Sequence, residues 1–154
     1  MKKYLSILVL FSLCILLTGC KGKLINTKCS SESDQTASGY RISDSYNISS
    51  RKNIVEKIEL KRVIESEDKD KLNSFKSNLD RQYKDNNSKY GGYSYDIKEE
   101  DNKLLIELTI DYTKIDMNKF VTDNVAMKNY VSDKNQLTLD GAKKMYEASG
   151  NKCE

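Results

Sequence analysis

An α+β fold, with helices packed on one face of an antiparallel sheet of about four strands, is what this 154-residue sequence predicts. Three observations predict it. Several stretches between residues 40 and 112 alternate apolar with polar residues, the mark of strands with one buried and one solvated face. Three other stretches space their apolar residues three and four apart, as amphipathic helices do. Capping and turn residues separate these stretches and give the order ββ-α-ββ-α-α.

The chain begins differently. Met1-Lys2-Lys3 precedes an apolar run from Tyr4 to Leu17, followed by Thr18, Gly19 and Cys20. Two charges and a short apolar run are the first two regions of a secretory signal. The run is shorter than the roughly 20 apolar residues that span a bilayer. The stretch "LLTGC", residues 16–20, resembles the lipobox of bacterial lipoproteins at every position. That resemblance implies a signal peptide over 1–19, cleavage before Cys20 and a diacylglycerol on its thiol. The chain would then be lipid-anchored on the extracytoplasmic face of a cell membrane without crossing it. An ordinary signal peptide with an accidental cysteine is the other reading.

Removing residues 1–19 from 154 leaves 135, a length that suits one domain over 39–154. The formal charge of +3 includes Lys2 and Lys3, so the remainder is near neutral, which argues against nucleic acid as a partner. Abundant Lys, Asn, Ile and Tyr, all with AT-rich codons, suggest a low-GC Gram-positive host or a wall-less relative. Of the four cysteines, Cys14 leaves with the signal and Cys20 takes the lipid. Cys29 and Cys153 remain, one near each end. They are either a disulfide, which persists outside the cytoplasm, or two unpaired thiols.

Residues 20–38, Ser-rich and polar, are expected to form the anchored cysteine and a flexible tether. Tyr40, Ile42, Tyr46 and Ile48 then share one strand face, interrupted by Asp44, and Ile58, Leu60 and Ile64 line a second strand. Ser66-Glu67-Asp68 caps a helix whose stripe is Leu72, Phe75, Leu79 and Tyr83. A hairpin follows: Tyr93, Tyr95 and Ile97 on one strand, a turn at 99–102, and Leu104, Ile106, Leu108, Ile110 and Tyr112 on the return. Helices are expected over 116–131 and from Thr138 or Asp140 to Gly150.

Little here points to catalysis. The chain has no His, which removes the commonest general base and metal ligand. No cofactor or metal is expected. Glu107 and Asp111 lie on one solvated strand face, where they are either a charged surface or, weakly, the carboxylates of a hydrolase. Asp133, Asn135 and Asp140 lack the ligand order and glycine of a calcium loop. Recognition rests best on "YGGYSY". Tyr90, Tyr93 and Tyr95 surround a glycine pair and offer apolar area with a hydroxyl at an interface. Tyr93 and Tyr95 are otherwise core residues, which leaves Tyr90 as the more exposed.

The stretch "IELTIDYTKIDMNKF", Ile106 to Phe120, ends a strand in Asp-Tyr and steps through Lys-x-Asp into a helix. With the preceding order of elements, it makes residues 40–120 resemble the YehR-like family of small uncharacterised bacterial lipoproteins. The resemblance implies a similar architecture and supplies no activity or catalytic residues; the tether and the Cys29 and Cys153 pair depart from it. The expected function is a non-catalytic lipoprotein that binds a cell-envelope protein or a small ligand. A structural accessory subunit of a membrane complex is the alternative.

Overall fold

The computed structural model describes residues 22–35 and 38–154. The proposed signal peptide and Cys20 lie outside these residues. Six strands form one antiparallel sheet: β1 (Leu24–Gln35), β2 (Tyr40–Arg51), β3 (Ile54–Glu65), β4 (Tyr93–Glu100), β5 (Lys103–Asp111) and β6 (Lys152–Cys153). Their order across the sheet is β4-β5-β3-β2-β1-β6. Among the described residues the helices are α1 (Lys69–Tyr90), α2 (Met117–Asp123) and α3 (Leu139–Ala148), and a 3₁₀ turn over Val125–Asn129 follows α2. No helix among the described residues is long and apolar enough to cross a membrane.

The expectation of about four strands is therefore corrected to six. The segment expected to be a tether carries β1, which pairs with β2 from Leu24↔Arg51 to Gln35↔Tyr40. Its Ser-rich composition hid it, because this strand is held by a ladder of backbone bonds and not by an apolar face. Among its described side chains, only Thr27 and Cys29 are buried. The strand β6 is too short to show any period. It exists because Cys153 lies opposite Cys29, bonded to it across 124 residues, and because Lys28 and Glu154 exchange backbone bonds of 3.1 and 2.8 Å. Strand β1, upstream of residue 39, thus belongs to the same sheet as the rest of the fold.

A two-residue turn at Lys52 and Asn53, with φ of 48° and 64°, joins β2 to β3 in the left-handed geometry that suits the twist of a hairpin. Between β3 and β4 runs α1. The Asp68 carboxylate accepts the Asp70 and Lys71 amides at its start, and Gly91, with φ 75°, ends it. Leu72, Leu79 and Tyr83 are buried as the stripe predicts. The expected helix over 116–131 breaks at Asn124, whose side-chain amide donates to the Phe120 carbonyl at 2.8 Å and so ends α2.

Two buried clusters lie on the helix-bearing face. One, beneath α1, is built on Leu60, Ile64, Leu72, Leu79, Leu104 and Ile106. The other, beneath α2 and α3, is built on Cys29, Ile48, Val55, Ile58, Val121 and Leu137. Tyr46 packs against both. Asp44, which interrupts the apolar face of β2, is answered from β3. Arg62 Nε and Nη2 donate to its two oxygens at 2.7 Å each, and the Tyr46 hydroxyl donates to Oδ2 at 3.0 Å.

Candidate functional site

The tyrosines expected to form a recognition patch are used instead to lock elements together. Tyr90 is the most enclosed of the three, at 8% exposure, which corrects the expectation that it is the exposed member. Its position at the end of α1 turns it inward, where it meets Phe120 edge-to-face at 4.9 Å and donates to Asp123 at 3.2 Å. Tyr95, half-buried, donates to Asp80 Oδ1 at 2.7 Å and packs on Tyr83. Tyr93 is half-buried on the same face of β4, and burial pushes its hydroxyl up to about 12. The glycine pair has a packing reason: a Cβ on Gly92 would stand 2.6 Å from the Asp111 carbonyl.

Among the described residues, the other face of the sheet carries no helix. A shallow groove of about 380 Å³ crosses it, lined by Ser45, Asn47, Glu59, Lys61, Glu107 and Thr109. Its charges already satisfy one another, with Lys57–Glu59 at 2.6 Å and Lys61–Glu107 at 3.5 Å. Asp111 accepts from Thr113 and pairs with Lys114 at 2.9 Å, and these two contacts, the Thr113 hydroxyl first, hold its carboxyl below the usual range. Asp140 accepts from Asn53, and Asn135 donates to Asn118. Among the described residues, no three His, Cys, Asp or Glu side chains are grouped to hold a metal ion.

A better-formed recess lies at the end of the sheet where β3 starts and β5 stops. It has a volume of about 480 Å³. One wall is the β5–α2 connection. There the Tyr112 amide donates to the Glu56 carbonyl at 2.9 Å and extends the ladder beyond β5, and Asp116 caps α2 by accepting the Lys119 amide. The opposite wall is the turn over 132–137, closed by the Ser132 amide on the Gln136 carbonyl and pinned to β3 by the Val55 amide on the Leu137 carbonyl. Asn135, with φ 56°, shapes that turn, and its bond to Asn118 ties the two walls together.

The floor of this cleft is apolar: Val55 (3% exposed), Ile115 (8%) and Leu137 (1%), with Tyr112 and Met117 beside them. Its rim is polar: Glu56, Thr113, Asn118, Lys134 and Gln136. Burial, and then the neighbouring Tyr93, push the Tyr112 hydroxyl far above its ordinary value. Glu56 Oε2 accepts from Arg51 Nε at 3.1 Å. The recess lies in the volume range of small-molecule sites, with a lining slightly more polar than apolar. Sequence reading missed the cleft. Tyr112 was visible as the last member of an alternating face, but Leu137, Lys134 and Gln136 come from a turn with no periodicity to mark it.

No family model matches the chain, and no curated protein matches it. Two solved structures do. The NMR structure of the Escherichia coli YehR protein has a TM-score of 0.56 and 19% identity, covering 86% of this chain and 91% of that one. The NMR structure of a protein from Streptococcus pneumoniae TIGR4 has a TM-score of 0.51 and 12% identity, covering 87% of each. At these identities the likeness is one of fold: the chain has a YehR-like α+β fold.

Proposed function

We propose that the chain is a membrane-anchored, extracytoplasmic lipoprotein whose domain acts without catalysis and binds a small ligand or protein of the cell envelope, with the cleft at the sheet's end as its site. The observation that carries the reading is the cleft itself, an apolar floor of Val55, Ile115 and Leu137 beneath a polar rim. The location rests on the lipobox at residues 16–20 and on a disulfide of the kind that persists in oxidising compartments. An accessory-subunit role is the second reading. It draws on Val125, a large apolar side chain left 65% exposed after α2.

A native mass spectrum of the full chain, gently extracted from its own membrane without reductant, tests both. The expected species starts at Cys20, carries lipid and retains the Cys29–Cys153 bridge, with an added small mass that Gln136→Trp, which blocks the cleft mouth, removes. A co-migrating polypeptide in place of the small mass favours the accessory subunit. An unmodified chain beginning at Met1 overturns the location.

A further inference from the structure

We infer that the corner formed by the start of β1 and the β2–β3 turn is a bilayer-docking surface that fixes the domain's orientation on an anionic phospholipid membrane. The inference rests on the lipid anchor proposed above.

The first argument is reach. The chain enters the fold at Gly22, whose carbonyl accepts from Arg51 Nη1 at 2.9 Å. The Lys52 side chain lies against the same residue, its Cγ 2.8 Å from where a Gly22 Cβ would stand. Gly22 lies two positions after Cys20, a span of at most about 7 Å however the chain runs. A lipid on Cys20 therefore keeps this corner within reach of the headgroups, and the side chains of the corner decide whether it docks there. The 19-residue tether expected from composition would have let the domain stand away from the membrane in any orientation; strand β1 removes that freedom.

The second argument is surface chemistry. Three large apolar side chains are exposed among the described residues, and two of them, Leu24 (40%) and Ile25 (47%), sit here in adjacent positions. Lys23 and Lys52 are exposed beside them, and Lys21 lies next in sequence. The acids nearby are engaged: Glu56 pairs with Arg51, and Asp140 accepts from Asn53. Exposed apolar side chains at a strand end with cations nearby are what an anionic leaflet attracts, the cations within a Debye length and the apolar groups at the interface.

The test is an amine-labelling footprint of the full, lipidated chain in vesicles of phosphatidylcholine and phosphatidylglycerol, read against the Cys20→Ser chain free in buffer. Labelling of Lys23 and Lys52 should fall several-fold in the vesicles, while Lys84, on the far side of α1, should not change. Leu24→Ser with Ile25→Ser should return Lys52 to its labelling in buffer. Equal labelling of Lys52 and Lys84 in a sample whose mass shows lipid on Cys20 overturns the docking alone. Protection that survives the double substitution overturns the assignment of Leu24 and Ile25 as the inserted residues. A mass without lipid on Cys20 overturns the anchor, and the docking with it.

Discussion

The two halves of the helix-bearing face are built in opposite ways. The cluster beneath α1 takes its buried residues from Leu60 to Leu108, one continuous stretch in which each element packs on the next. The cluster beneath α2 and α3 takes its own from Cys29 to Ala142, so the two ends of the chain must meet before it exists. Loop-closure entropy makes the second arrangement costlier to assemble. Its composition shows the compensation: a covalent bridge, two isolated bridge pairs at Ile54↔Thr138 and Val131↔Leu137, and short helices held by caps. A half built locally can rely on one long amphipathic helix, whereas a half built from chain ends needs pins.

The strongest way to break this contrast is to remove the bridge. Cys29→Ala with Cys153→Ser should lower stability by about 4–5 kcal/mol, the chain-entropy value for so long a loop, read as a shift in the urea midpoint. Hydrogen exchange should show amides of β1, α3 and β6 opening before those of α1 and β5. Simultaneous opening everywhere would mean that the halves are one unit and that the contrast is only topological.

A smaller effect is expected from Leu72→Ala, which empties a fully buried position under α1 and should cost about 3 kcal/mol in the same melts. The long helix has no bridge to fall back on, so its amides should lose protection first in this variant. A loss below about 1 kcal/mol would mean that α1 is held chiefly by other contacts.

The smallest effects sharpen the comparison. Asp68→Ala and Thr138→Ala each remove an N-cap, worth about 1 kcal/mol. Asp68 accepts two amides of its own helix. Thr138 accepts only one, from Gly141, but also donates to the Tyr130 carbonyl at 3.2 Å and so joins two segments. If pinning matters more in the discontinuous half, Thr138→Ala is the costlier substitution in urea melts.

Legibility in the sequence follows the same division. The stripe of α1 and the alternation of β4 and β5 are local patterns, and Leu72, Leu79, Leu104 and Ile106 are buried as those patterns require. Strand β1 was misread because its partner supplies what its own composition lacks. The cleft was invisible for a related reason: its floor joins Val55, Ile115 and Leu137, residues whose proximity depends on the Val55–Leu137 backbone bond and not on any spacing. Asp44 looked like a flaw in β2 until Arg62 took its place opposite on β3. Patterns within a segment were readable, and pairings between distant segments were not.

The bridge between Cys29 and Cys153 has one more consequence, which concerns proteases. It closes a ring that contains nearly the whole domain, and the residue proposed to carry the anchor lies just outside that ring on the N-terminal side. A single backbone cut anywhere between Ser30 and Lys152 leaves two fragments still joined through sulfur. Clipping at the connection between β1 and β2 would therefore separate nothing from a lipid carried on Cys20. Shedding the domain requires a cut between Cys20 and Cys29, where most of the backbone is engaged in β1, or a cut inside the ring together with a reductant.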